Sequence, residues 1–213
     1  PTHTKETAVT NPDLRHIAIV LDRSGSMYSV KTDTEGGLKA FLAEQQAAPG
    51  ETTVSLYQFD TEYEPVYENL PLADVPDYQL LPRGGTALLD AVGRTISTVG
   101  AQLAAKAEDD RPGEVIVVIL TDGEENQSRE FSLATVKQMI TAQQESFAWR
   151  FVFLGADQDA FAAAGGMGIA RGTTLSYASA NTTDSMTSAG RMVARGTSSG
   201  LYAFTEDERT DAS

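Results

Sequence analysis

The chain of 213 residues contains no cysteine, so disulfides, zinc–thiolate sites and thiol nucleophiles are excluded together. Histidine is nearly as scarce: only His3 and His16 occur, the first in a polar N-terminal stretch and the second at the start of an apolar run. A hydrolytic triad needs an imidazole beside its nucleophile, and neither position offers one. The phosphate-cradling patterns G-x-x-x-x-G-K-[ST] and G-x-G-x-x-G are absent. No apolar stretch reaches the roughly 18 residues that a membrane-spanning helix requires. The first residues, PTHTKETAVTNPDLRH, lack the apolar core of a secretory signal. These absences lead to the expectation of a cytoplasmic protein, with a virion component as the alternative. Positive charge is in short supply too, with 16 basic against 30 acidic residues and a net charge of -14. Such a field repels phosphate backbones and anionic membranes, so neither nucleic acid nor membrane is an expected partner. It also gathers cations.

What the chain does have is a series of short apolar runs rich in β-branched residues: HIAIVL (16 to 21), VSLYQF (54 to 59), VIVVIL (115 to 120) and WRFVFL (149 to 154). Continuous apolar runs of this length predict strands buried on both faces, as in a parallel sheet. Helical spacing lies between them. Leu38, Phe41 and Leu42 mark a helix over 34–48, stopped by Pro49-Gly50. A longer one is predicted over 87–107 from Leu88, Val92, Ile96, Val99 and Leu103. Ser132 can cap a third helix carrying Val136 and Ile140, and a short fourth is expected over 157–164, before Gly165-Gly166. The segment FDTEYEPVYENL leaves no room for a crossover helix and predicts a hairpin with an antiparallel edge strand, where Pro65 is harmless. TTLSYA (173 to 178) fits a last strand, and Asn181 can cap a helix from 182 to about 195.

The expected fold class is therefore α/β: a doubly wound, mostly parallel sheet with one antiparallel edge strand. Residues 1–14 are expected to form an N-terminal arm, 15–203 a single domain, and 204–213 a mobile polar tail.

In open α/β sheets the ligand crevice lies outside the carboxyl ends of the strands. At those ends stand Asp22-Arg23-Ser24-Gly25-Ser26, then Asp60, then Thr121-Asp122-Gly123, while Gly84-Gly85-Thr86 opens the long helix. Carboxylates and hydroxyls without histidine or cysteine suit a hard cation, Mg2+ first, with Mn2+ or Ca2+ as alternatives. The candidate ligands are Asp22, Ser24, Ser26, Thr86 and Asp122. Three neutral hydroxyls with only one or two carboxylates bound leave a dication under-neutralised, which would draw a carboxylate from another molecule to the open coordination position.

These residues carry a family resemblance. DRSGS, GGT and LTDG, in that order, resemble the metal-ion-dependent adhesion site of the von Willebrand factor type A domain, D-x-S-x-S followed by Thr and then Asp. The likeness covers about residues 14 to 155, and FLGADQDAF with the following GI segment is similar to the C-terminal half of intracellular bacterial and phage-borne members. It implies a Rossmann-like fold in which Ser24, Ser26 and Thr86 contact the metal through hydroxyls. Asp22 and Asp122 would bind directly or through water, with Asp122 exchanging with Thr86 as the site changes state. It further implies cation-dependent binding of a protein that supplies Glu or Asp, in adhesion, complex assembly, or partnership with AAA+ ATPases or tellurite-resistance-type systems. Both an adaptor and a virion or cell-surface component fit. An enzyme is not expected: metal-assisted phosphoryl transfer from Asp22 is the alternative, but no lysine stands at a strand end.

Neighbouring residues have plainer readings. Arg23, Glu124 and Glu125 are expected to be solvated, with a second cation site as the alternative for the two acids, and Asp60 to serve the hairpin turn, with support of the metal shell as its alternative. Asp157 and Asp159 are assigned to helix N-terminal charge, and Trp149, Phe151 and Phe153 to the core.

Overall fold

A computed structural model describes residues 10–212, so most of the expected N-terminal arm lies outside the described residues. The chain runs β1 (Asn11–Asp22), α1 (Lys31–Gln46), β2 (Glu51–Phe59), β3 (Tyr63–Pro71), α2 (Leu88–Ala104) and β4 (Pro112–Thr121). It continues α3 (Leu133–Phe147), β5 (Arg150–Ala156), α4 (Ala160–Gly166), β6 (Thr174–Tyr177), α5 (Thr182–Ser199) and α6 (Glu206–Asp211). The six strands form one sheet in the order β3-β2-β1-β4-β5-β6. Every neighbouring pair is parallel except β2–β3, the expected hairpin, whose Pro65 sits on the edge strand opposite Tyr57.

Alternation along the strands explains the apolar runs. Ile17, Ile19 and Leu21 of β1 pack under α1 and α5, whereas Ala18 and Val20 face α2, α3 and α4. Both faces are covered, so no position in the run can be polar without cost. Trp149, Phe151 and Phe153 are buried on the second face, as expected. The helices α1 and α5 cross closely: a Cβ at Gly190 would lie 3.0 Å from the Phe41 Cα, so only glycine lets these backbones meet. Ser132 caps α3 by accepting from the Thr135 N–H at 3.1 Å.

Two boundaries differ from expectation. First, β1 begins at Asn11, inside the segment assigned to the arm, because the Asn11 N–H donates to the Arg111 carbonyl at 2.8 Å and strand pairing needs backbone partners rather than apolar side chains. Second, the tail expected to be mobile is a helix. Thr205 and Glu208 form a reciprocal capping box at its start. Arg209 then donates to the Thr174 and Arg171 carbonyls at 2.7 and 2.8 Å, and Phe204 and Ala212 are buried in the core. A polar segment is held here by hydrogen bonds that composition does not reveal.

The strand order reverses between β1 and β4. Chain connectivity moves outward from β1 through β2 to β3, then returns to place β4 on the other side of β1. A crevice opens at such a switch point, outside the ends of those two strands. Asp22 ends one and Thr121 the other.

Candidate metal centre

Asp22 is fully buried, at 0% exposure. Its Oδ1 accepts from the Ser24 N–H at 2.6 Å and its Oδ2 from the Thr121 hydroxyl at 2.6 Å. Ser24 Oγ lies 3.1 Å from Ser26 Oγ, and the Ser26 hydroxyl donates to Asp122 Oδ1 at 2.7 Å. The fifth expected ligand faces the same point. A Cβ at Gly123 would lie 3.2 Å from Thr86 Oγ1 and 3.7 Å from Ser26 Oγ, so the lack of a side chain there keeps the space between these hydroxyls open. All five oxygen-bearing side chains named from the sequence are thus gathered at the switch point.

Backbone bonds hold the three contributing segments. The Gly25 N–H donates to the Gly84 carbonyl at 3.2 Å and the Arg83 N–H to the Arg23 carbonyl at 2.8 Å. Gly84 has φ 69°, in the left-handed region that glycine tolerates best. Thr86 is tied to the third segment, donating its N–H to Asn126 Oδ1 at 3.0 Å and accepting at its carbonyl from the Asn126 and Gln127 N–H groups.

The electrostatics favour a cation. Burial pushes the Asp22 carboxyl up to about 6, outweighing the hydrogen bonds from Thr121 and Ser24, and burial raises Asp122 as well. Among the described residues neither carboxylate forms an ion pair with a Lys, Arg or His. A bound dication would reverse the penalty of holding these charges out of water. No group of three or more His, Cys, Asp or Glu side chains is arranged for a metal among the described residues, so hydroxyls must complete any shell. An all-oxygen set of two carboxylates and three hydroxyls fits a hard cation.

Several plainer expectations are overturned. Arg23 is not solvated: it is 5% exposed, its Nε donates to Asp60 Oδ2 at 2.8 Å, and its Nη1 pairs with Glu64 at 2.9 Å. Successive residues of an extended chain point opposite ways, so with Asp22 and Ser24 at the crevice Arg23 turns to the β2–β3 side. Asp60 does serve the hairpin turn, accepting from the Glu62 N–H at 2.7 Å, but it also joins Arg23 to Arg83, whose Nε donates at 2.8 Å. Glu124 is exposed as expected. Glu125 is not a loop acid in solvent: it accepts from the Leu89, Gln127 and Ser128 N–H groups at 2.8, 2.9 and 2.7 Å, closing the first turn of α2. Asp159 caps α4 through the Ala162 N–H, whereas Asp157 instead accepts from the N–H and hydroxyl of Ser179 in the loop before α5.

Sequence reasoning missed Asp90, which accepts from the Arg129, Glu130 and Phe131 N–H groups and so fixes the loop that follows Asp122. A G-x-S-x-G string does occur, at Gly196–Gly200, but it closes helix α5 instead of turning from a strand into a helix.

No protein-family model and no curated protein sequence matches the chain. Structures of other proteins do match. Proximal thread matrix protein 1 of the mussel byssus superposes with a TM-score of 0.62 at 13% identity, over 85% of this chain and 46% of that one. The ArnB paralog VWA2 from Sulfolobus acidocaldarius gives 0.55 at 14% identity, over 83% and 44%. A von Willebrand factor type A structure from Catenulispora acidiphila gives 0.55 at 15%, over 86% and 42%. The fold is that of a von Willebrand factor type A domain. The chain spans less than half the length of these structures, so the likeness is one of fold. One further structure of the mussel protein, at a TM-score of 0.59 and 13% identity over 84% of this chain and 46% of that one, has its metal-ion-dependent adhesion motif occupied by zinc. In this VWA fold, the doubly wound sheet with its antiparallel edge strand agrees with the expectation from sequence.

Proposed function

We propose that the chain is a divalent-cation-dependent protein-binding module and not an enzyme. The observation that carries this reading is the convergence of Ser24, Ser26, Thr86 and Asp122 on Asp22, a buried carboxylate that has no basic partner among the described residues. Ser24, Ser26 and Thr86 would hold the ion through hydroxyls, with Asp22 and Asp122 bound directly or through water. When bound, the cation supplies a Lewis-acid position at which a carboxylate from another molecule can complete the shell. The partner is therefore a protein presenting Glu or Asp. Mg2+ is the preferred ion from the donor chemistry, with Mn2+ or Ca2+ as alternatives. The zinc in the mussel protein makes Zn2+ a necessary fourth candidate. An intracellular adaptor is the favoured setting and a virion or cell-surface component the other.

Titration calorimetry with the four ions tests the site directly. Wild type is expected to bind at least one, and Ser24→Ala combined with Ser26→Ala to lose that binding while keeping its fold by circular dichroism. Equal binding in both proteins would reject the assignment. Capture of a partner in Mg2+, its release by EDTA, and its recovery with added cation test the second half of the reading.

A further inference from the structure

Asp60 directly follows β2 and, among the described residues, makes no hydrogen bond to any of the five oxygen-bearing side chains, yet it stands where two of their segments meet. It is 1% exposed. Its two oxygens have separate duties. Oδ1 serves the hairpin turn, accepting from the Glu62 N–H at 2.7 Å and the Thr61 hydroxyl at 3.3 Å. Oδ2 accepts from the Nε of Arg23 and the Nε of Arg83, both at 2.8 Å. Arg23 directly precedes Ser24, and Arg83 lies just before Gly84-Gly85-Thr86. One carboxylate oxygen therefore ties the segment carrying Ser24 and Ser26 to the segment carrying Thr86.

The physical effect of that oxygen is large for its size. Two guanidinium groups brought to a single atom repel each other, and one belongs to a nearly buried side chain that water cannot screen. The carboxylate turns this repulsion into a pair of charge-assisted hydrogen bonds. Burial alone would raise the Asp60 carboxyl, but Arg83, the Glu62 N–H and Arg23 outweigh it and hold it below the ordinary range, so it stays ionised near neutral pH. The backbone bonds between Gly25 and Gly84 and between Arg83 and Arg23 lie in the same seam, and the Ala87 N–H donates to the Asp60 carbonyl at 2.9 Å. Glu64 also reaches both guanidinium groups, at 2.9 and 3.1 Å, and Glu62 pairs with Arg83, but both acids are far more exposed than Asp60. Without the buried carboxylate, only water-screened partners would offset the like charges pressing on that seam. Its width sets the distance between the serine hydroxyls and Thr86.

We infer that Asp60 is a positioning residue of the metal centre, in which one carboxylate oxygen shared by Arg23 and Arg83 holds the Ser24–Ser26 loop at ligating distance from Thr86. The inference rests on the metal-binding reading above and adds to it a residue that acts on the ion only through others. Asp60→Asn separates the two duties, because the amide oxygen can still accept from the Glu62 N–H while its NH2 faces the guanidinium groups. Arg83 is half exposed and its removal should barely affect folding.

The test is calorimetric titration of the full chain with Mn2+ and Mg2+ well below the melting temperature, for wild type, Asp60→Asn, Arg83→Gln, the double variant, and Val193→Ala. The last truncates a fully buried core residue on α5, away from the seam. Asp60→Asn is expected to weaken metal binding about 10–100-fold, the range typical when a group orienting metal ligands is removed. Arg83→Gln should weaken it several-fold with little change in melting temperature. The double variant should bind no more weakly than Asp60→Asn alone, since removing Arg83 relieves the repulsion that the first substitution creates. Val193→Ala should melt earlier and bind as wild type does. Wild-type affinity in Asp60→Asn and Arg83→Gln would overturn the positioning role while leaving the metal site standing. An equal loss in Val193→Ala would overturn it too, by showing that any loss of stability weakens the ion. A wild type that binds neither ion would reject the metal reading and this inference together. If Asp60→Asn fails to fold, Arg83→Gln decides the question.

Discussion

The two ends of β1 bury charge in opposite ways. At one end Arg15, 3% exposed, is answered from within the protein: its Nε donates to Thr52 at 2.7 Å, its Nη1 to Thr197 at 2.8 Å and its Nη2 to the Gln45 carbonyl at 2.9 Å. Burial lowers its pKa, and the nearby Glu114 and Tyr202 oppose that shift. At the other end Asp22, just as buried, receives hydrogen bonds but, among the described residues, no positive charge. A buried charge whose counter-groups belong to the fold contributes to structure. One left without a counter-charge, at a topological switch point and beside three hydroxyls, is what, in the proposed function, a bound cation would offset.

The contrast can be broken at either end. Arg15→Leu would strand the three acceptors it now serves, each at a cost of about 1–3 kcal/mol, so a loss of roughly 3–5 kcal/mol is expected in urea unfolding. Metal affinity should not change. A variant as stable as wild type would show that the Arg15 end is not structural.

His16, next to Arg15, sharpens the picture through pH. Burial, helped by the charge of Lys106, lowers its pKa to about 4 from 6.5. The unfolded chain thus takes up a proton between these values while the folded one does not. Stability is therefore complete above about pH 6.5 and falls as pH drops toward 4, by roughly 3 kcal/mol over the window. His16→Gln should flatten this component in urea midpoints measured across the range. An unchanged slope would mean that the imidazole titrates freely.

The smallest expected effect lies at the metal end. Asp22→Asn removes the uncompensated charge, so in EDTA the variant should be as stable as wild type or about 1 kcal/mol more so. Wild type should gain about 2.7 kcal/mol when cation is raised to a hundred times its Kd, and the variant should gain nothing. Destabilisation of the metal-free variant by several kcal/mol would place Asp22 with Arg15 as a structural charge and remove the distinction between the ends.

Much of this was readable along the chain. The apolar runs announced strands covered on both faces, and Ser132 announced its helix. The five candidate positions could be named because a doubly wound sheet makes strand ends, and the helix starts beside them, into neighbours wherever they fall in the sequence. Residues between the motifs were harder. Arg23 looked like any exposed arginine, because its partners Asp60 and Glu64 come from the β2–β3 hairpin, much further on in the chain. Glu125 looked like a loop acid, but besides two N–H groups of its own loop it accepts from Leu89, far back in the chain, and Asp90, with no local signal, collects three N–H groups from residues 129–131. The Thr205–Glu208 capping box carried a local signal, outweighed by the polarity of the residues around it.

Sequence alone determined the alternation of strands and helices, the oxygen-only chemistry of the strand ends and the lack of thiol or imidazole at them. These follow from side-chain periodicity and residue type, which are local properties. Tertiary structure decided which carboxylate would be left without a partner. Whether a buried acid meets a cation depends on side chains that the fold brings together from distant segments: among the described residues it gave Arg23 and Arg83 to Asp60 and none to Asp22.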